Sequence, residues 1–217
     1  MMWSKCGHIQ DDGINRIIQA SAIITCKGRL VFLKETLPII MSMFQEYILV
    51  DWSCPEKSGE WAKQYEVKTH IEEAQSGFNL SAARNKGASL AKCDWLFFLD
   101  VDITLTSDVR RHINLAQKEI FYAFDKNHCQ GTIFCRRSDF DSIGGFNELL
   151  KGYGFDDCDF RDRLKKTGTK EIILPANVIN HIEHGNNLRL EFYEDKDLWR
   201  SVWANRGIAI RTAWKAR

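Results

Sequence analysis

The feature that most constrains the fold of this chain is Asp94-Trp-Leu-Phe-Phe-Leu-Asp100, five consecutive apolar residues closed at each end by an acid. Such a run is short for a helix and right for a strand, and successive large side chains on it require cover on both faces. It therefore belongs inside a sheet flanked by helices. The preceding sequence supplies the companions. Residues 21–26 (SAIITC) read as a buried strand running into the turn Lys27-Gly28, and 47–51 (YILVD) as a second strand ending on an acid. Residues 67–71 make a weaker third strand. Helical spacing occupies 29–44, interrupted at Pro38, then 58–65, then 79–92, where Asn79 or Ser81 can cap. Strands alternating with helices predict an α/β fold, a Rossmann-like and mostly parallel sheet with helices on both faces. Ligands of such sheets bind beyond the carboxyl ends of the strands. Thr25, Asp51 and Asp100 stand at those ends.

The second half is less regular. Residues 119–124 and 131–136 read as strands, and Ser138 as the cap of a short helix stopping at Gly144-Gly145. Residues 156–166 read as a helix that Gly168 ends, and 170–174 and 178–182 as edge strands. No repeat, low-complexity stretch or proline-rich linker divides the chain. It is organised as an extension over 1–20, one α/β domain over 21–195 and a basic, aromatic tail over 196–217.

Composition narrows the functional classes. Thirty basic and 29 acidic residues leave a net charge of +1, without the basic surplus that a nucleic-acid binder uses against phosphates. Seven cysteines form no CxxC pair, so neither a zinc site nor a disulfide scaffold follows, and buried thiols in a reducing compartment are expected. The first ten residues lack the apolar core of a signal peptide, and no stretch has the length of a membrane span. The chain reads as cytoplasmic.

Three constellations can carry chemistry. Asp100-Val-Asp102 follows the apolar strand directly, and in extended backbone residues two apart face the same side, so both carboxylates can converge. Hard oxygen donors beside a diphosphate suit Mg²⁺ or Mn²⁺. The second runs from Gly144 to Leu164, GGFNELLKGYGFDDCDFRDRL. Its glycines permit tight turns and close approach to a ligand, and Asp156 and Asp157 open a helix whose dipole favours carboxylates. The third is His181-Ile-Glu-His184, where one or both imidazoles can complete a metal site; HExxH is absent, so a zinc protease is not indicated.

In this order the segments resemble the family 2 type of GT-A glycosyltransferases. The second half is similar to the galactosyltransferase and N-acetylgalactosaminyltransferase C-terminal module. The resemblance spans about 21–191 and rests on a DxD after an apolar strand, then GGFxE, then GxG followed by an acid pair. It implies that Thr25 and Asp51 contact the nucleoside, with Trp52 standing where relatives carry a second acid. It implies that Arg84 helps hold the nucleotide, and that Asp100 and Asp102 form the DxD pair, with Asp102 the direct metal ligand. His184 closes the metal site; His181 stands where relatives carry methionine or another residue. Asp157 matches the catalytic base, Asp156 the residue that binds acceptor hydroxyls, and Tyr153 an aromatic that packs on donor or acceptor sugar.

The implied reaction is inverting transfer of Gal, GalNAc, Glc or GlcNAc from a UDP-sugar to a carbohydrate or lipid-linked glycan, with Mn²⁺ or Mg²⁺. Two alternatives share parts of the pattern. A sugar-nucleotide nucleotidyltransferase needs a longer glycine-rich loop than Thr25-Cys-Lys-Gly28. A non-catalytic sugar-nucleotide-binding module would keep the fold without turnover. The tail carries six basic residues from Lys196 to Arg217 and one acid, Asp197, interleaved with Trp199, Trp203 and Trp214. Packing of the indoles on the α/β domain, with the arginines in solvent, is the commoner arrangement for such a segment. The alternative is peripheral contact with an anionic inner-membrane surface.

Overall fold

The computed structural model describes residues 16–212 and Trp214. Most of the 1–20 extension, including Cys6, lies outside the described residues, as do Lys215 and Arg217 of the tail. In chain order the elements are β1 (Ile18–Cys26), α1 (Leu30–Ile40), β2 (Phe44–Trp52), α2 (Ser58–Ala62), β3 (Lys68–Glu72), α3 (Leu80–Leu90), β4 (Trp95–Asp100) and β5 (Ile103–Leu105). The second half adds β6 (Ile120–Ala123), β7 (Ile133–Arg136), α4 (Arg137–Ser142), α5 (Asp156–Lys166), β8 (Lys170–Ile173), β9 (Ile179–His181), α6 (Asn186–Leu190) and α7 (Leu198–Arg211).

Seven strands form one sheet in the order β3-β2-β1-β4-β7-β6-β8. The block β3, β2, β1 and β4 is parallel, β6 is parallel to β8, and β7 runs antiparallel to both β4 and β6. The mostly parallel α/β architecture expected from the alternation is present. β4 lies centrally, and its apolar run serves two cores. Leu96 and Phe98 join Ile23, Val50, Ala83 and Phe160 on one face. Phe97 and Leu99 join Ile24, Leu49, Leu33 and Leu37 on the other. A strand buried on both sides has no room for polar alternation, which explains its sequence.

Helix ends follow local chemistry. The Asn79 carboxamide oxygen accepts the Ala82 N–H at 3.0 Å and starts α3. Pro38 stands inside α1 rather than breaking it; the helix runs two residues further, to Ile40. Ser138 does not cap α4. The cap position falls two residues earlier, at Arg136, where the Arg137 N–H donates to Asp94 O at 2.8 Å and its guanidinium donates to the carbonyls of Ala88, Ala91 and Cys93.

β8 stands at the edge of the sheet as expected, but two other segments depart from expectation. β9 leaves the main sheet and pairs antiparallel with β5, a strand not anticipated, in the register Ile103↔His181. The Ile182 N–H then donates to Asp102 O at 2.8 Å. The tail departs as well. α7 is continuous through Gly207, yet the indoles of Trp199 and Trp203 are exposed and the buried side chains are Ser201 and Asn205. Trp214 does pack back, its indole N–H donating to Gly144 O at 2.7 Å. No described helix is long and apolar enough to cross a membrane.

Candidate active site

The carboxyl ends of β1 and β4 open into a cleft lined by Thr25, Arg29, Asp100, Asp102, Tyr153 and His181. Thr25 and Asp100 are register partners on adjacent parallel strands, so both deliver to the same edge. Beyond β4 the chain turns into β5, and the β5–β9 ladder brings the two histidines onto that turn. His184 Nε2 lies 2.6 Å and His181 Nε2 3.8 Å from Asp102 Oδ2, and the Arg29 guanidinium donates to the same oxygen at 2.9 Å. Burial works to raise the Asp102 pKa. The His184 hydrogen bond and the Arg29 and histidine charges outweigh it and hold the carboxyl below its usual range.

The three side chains fit a divalent metal. Asp102, His181 and His184 each offer one ligand atom, all within 4.8 Å of one another. His181 keeps its Nδ1 buried without a hydrogen bond, which a ligand or an outer partner would satisfy. Burial lowers the His181 pKa, favouring the neutral ring that metals bind. Asp100 stands apart from this group. The convergence expected of the two DxD carboxylates is replaced by a division of partners, because the turn after β4 ends the extended backbone.

Asp100 belongs to a second network. Arg84, on α3 and 2% exposed, donates to Asp100 Oδ1 at 2.8 Å, to Asp156 Oδ2 at 2.6 Å and to Gly131 O at 3.2 Å. Its guanidinium also stacks 4.9 Å from the Phe146 ring centroid. A Cβ on Gly131 would come within 2.8 Å of Arg84 Nη2 and 3.0 Å of Asp100 Oδ2, so only glycine leaves the pair intact. Arg84 thus ties the DxD strand to the start of α5. Asp156 is buried there, and burial pushes its carboxyl up to about 6; Arg84 lowers it, while Asp157 and Asp100 raise it.

A second recess adjoins the cleft and shares Asp100, His128 and Tyr153 with it; its far wall is Gly131, Asp156 and Asp157. Asp157 is half-buried, and its Oδ1 accepts the Cys158 N–H at 2.8 Å. Phe155 precedes the acid pair with φ 71°, left-handed for a non-glycine residue. The loop 152–154 that carries Tyr153 is fastened by α7. The Tyr153 N–H donates to Ser201 Oγ at 2.7 Å, and the Asn205 amide donates to Gly152 O and Gly154 O at 2.9 and 2.7 Å. A Cβ on Gly152 would lie 2.4 Å from Ser201 Oγ. Tyr153 stands edge-on to Tyr193, with centroids 5.9 Å apart.

Asp51 is turned away from this cleft. It accepts the N–H groups of Cys54 and Gly59 at 2.6 Å each and the Ser58 hydroxyl at 2.9 Å, and so organises the 53–59 turn. Its neighbours Ser53, Lys57 and Ile71 line a separate recess. Several residues in the cleft or behind its glycine loop escaped the sequence reading. Arg29 follows the first strand closely, and the rule that picked Thr25 also applies to it. His128, at φ 64° and with its ring 5.2 Å from His181, sits in a polar loop without a motif. Ser201 and Asn205 carry no signal, since polar residues on a tryptophan-rich helix are expected outside.

Two family models match the chain. One, described as glycosyltransferase like family 2, covers residues 25–120. The other, described as the N-terminal domain of galactosyltransferase, covers residues 110–185. No curated protein matches by sequence. Among solved structures, the chain is similar to the mannosyltransferase PcManGT of Pyrobaculum calidifontis, solved with GDP-Man and Mn²⁺ (TM-score 0.65, 15% identity, 94% of this chain and 67% of that one). It is also similar to the catalytic domain of Drosophila β1,4-galactosyltransferase 7, solved with xylobiose (TM-score 0.60, 16% identity, 91% and 82%). A third neighbour is GalNAc-T7 with UDP, GalNAc and Mn²⁺ (TM-score 0.66, 17% identity), where 89% of this chain matches and spans 48% of the other. Two glycosyltransferase family models that together run from 25 to 185, on a sheet shared with GT-A enzymes, indicate that this chain is a glycosyltransferase of the GT-A fold.

Proposed function

We propose that the chain moves a sugar from a UDP-sugar to a carbohydrate acceptor, with inversion at the anomeric carbon and a divalent ion held by Asp102, His184 and His181. The observation that carries this reading is the adjacency of the two recesses, one ending on the Asp102–histidine cluster and the other on Asp157, with Asp100 and Tyr153 shared between them. A donor in the first recess presents its sugar to an acceptor in the second. UDP is favoured over GDP by the galactosyltransferase match, although PcManGT was solved with GDP-Man. One carboxylate with two imidazoles favours Mn²⁺ over Mg²⁺, which prefers oxygen ligands. When bound, the ion supplies charge neutralisation for the leaving diphosphate, worth several kcal/mol in such reactions.

The protein's own groups account for the rest. Thr25 and Asp100 line the donor side, and Arg84 keeps Asp100 in place. Tyr153 offers an aromatic wall where donor and acceptor sugars meet. Asp157 takes the proton of the attacking hydroxyl, a contribution of about 10²–10⁴ in rate. Asp156 bonds to Arg84 and so anchors the acid pair while lining the acceptor recess. No side chain in the cleft stands out as a nucleophile, so the acceptor oxygen displaces the diphosphate directly, converting an α-linked donor to a β-linked product. The acceptor class extends to lipid-linked glycans met at a membrane surface through the carboxy-terminal segment. UDP release from a panel of UDP-sugars, with Mn²⁺ and with EDTA, tests the reading. Release that ignores the metal, or none with any UDP-sugar, refutes it.

A further inference from the structure

α7 has two faces of opposite character. At 3.6 residues per turn, Trp199, Trp203, Arg206 and Ile210 fall within roughly 60° of arc. Trp199, Trp203 and Ile210 are 69, 60 and 74% exposed, a concentration of large apolar side chains that no described part of the chain covers. The Arg206 guanidinium lies over the Trp203 ring, 4.9 Å from its centroid. On the opposite side, Ser201 and Asn205 are each 2% exposed and hold the 152–154 loop. The fully buried side chains of the inner face are small and polar, flanked by the half-buried Leu198, Val202 and Ile208, while the indoles face outward.

The charge on the helix selects what the outward face meets. Between 198 and 211 there are three arginines, at 200, 206 and 211, and no acid. Arg200 is paired with Asp195 at 2.6 Å; Arg206 and Arg211 are exposed with no carboxylate partner among the described residues. Indoles settle where hydrocarbon meets headgroups, and arginines beside them bind anionic headgroups, each worth about fivefold in partitioning near such a surface. A second copy of this face would offer the same arginines and indoles, with no acid on the helix to pair with them. We propose that the outward face of α7 docks on an anionic lipid bilayer. This gives the membrane contact of the function above a defined surface, though the docking itself does not depend on sugar transfer.

The position of the helix gives docking a consequence. An α-helix with its side chains is about 10–12 Å across, and the inner face of α7 touches the loop that carries Tyr153. A bilayer on the outer face therefore lies about one helix diameter from the acceptor recess, within reach of a glycan head on a lipid anchor. Sedimentation of the full chain with phosphatidylglycerol–phosphatidylcholine vesicles tests the docking. Binding is expected at low salt, to weaken with added salt, and to fall at least tenfold for Trp199→Ala/Trp203→Ala and several-fold for Arg206→Gln/Arg211→Gln. Mn²⁺-dependent UDP binding by both variants should stay unchanged, which shows that they fold. Equal binding to phosphatidylcholine alone, no binding to either vesicle, or a concentration-dependent dimer abolished by the tryptophan variant would each overturn the proposal. Vesicle binding without any sugar transfer would leave the docking intact and sink the enzymatic reading.

Discussion

Replacing Arg84 by methionine tests the link between the two halves of the site. Methionine fills much of the space of the arginine stem but leaves Asp100 and Asp156 facing each other without the guanidinium at 2.8 and 2.6 Å. Removing one partner of a buried ion pair costs about 3–5 kcal/mol. With an m-value of about 2–3 kcal/mol/M for a chain of this size, the urea midpoint should fall by about 1.5 M. The loss should also depend on pH. Asp156 already titrates at about 6 because burial outweighs Arg84. A raised folded pKa means that the folded state binds the extra proton, so stability is fully present below the unfolded value and falls as pH rises toward the folded one. In wild type that decline ends near pH 6. Without Arg84 the Asp156 pKa climbs further and the decline continues above pH 6, so the deficit at pH 8 should exceed that at pH 5.5. Adding Asp156→Asn to Arg84→Met should abolish that difference. A deficit below about 1 kcal/mol, or one equal at both pH values, would refute the account of Arg84 as the buried counter-ion of this pair.

Asp102→Asn and His184→Ala should each weaken UDP binding at least tenfold in Mn²⁺ and have little effect in EDTA, read by calorimetry (a tenfold change is about 1.4 kcal/mol); equal losses in both buffers would remove the metal assignment. Asp157→Asn should keep Mn²⁺-dependent UDP binding and lose about 10²–10⁴ in transfer rate, while the wild-type product should show an inverted anomeric carbon by NMR. A variant within tenfold of wild type, or a retained anomer, contradicts the single-displacement mechanism. Gly152→Ala places a Cβ 2.4 Å from Ser201 Oγ and should cost about 1–3 kcal/mol in thermal or urea denaturation. Adding Ser201→Ala should recover part of that cost, whereas strict additivity would show that the contact is relieved elsewhere.

Much of the cleft was legible because it follows from strand ends. A buried parallel strand must read as an apolar run, its last residues must face the ligand edge, and Thr25 and Asp100 were found on that basis. The α5 acids were legible for a similar reason, since a helix start after a glycine-rich turn is visible in sequence. What stayed hidden depended on pairing between distant segments. β5 is only three residues long and gains its identity from β9, so the ladder that carries His181 and His184 to Asp102 had no local signature, and that grouping was expected from the family resemblance alone. Asp51 stands at a strand end, but its carboxylate is held by three donors from residues 54–59 and it lines a recess apart from the cleft, a direction that strand-end reasoning does not give. α7 was misjudged for the same kind of reason. Its two fully buried side chains, Ser201 and Asn205, are set by hydrogen bonds to the glycine loop, which hydrophobic patterning cannot report.

The two matched family regions meet between residues 110 and 120, and the links of the site cross that junction. Arg84 and Asp100 come from the family 2-like half, while Asp156 comes from the galactosyltransferase-like half. Asp102 lies before the junction, and His181 and His184 lie after it. Neither half can therefore assemble the site: the first leaves Arg84 with one of its two acids and Asp102 without its imidazoles, and the second leaves Asp156 without its counter-ion. Since an unpaired buried charge costs several kcal/mol, the same contacts that would orient donor and base also make the halves fold as one unit. Cleaving or truncating near residue 115 should for this reason abolish the fold together with the site, rather than leave a separable nucleotide-binding half.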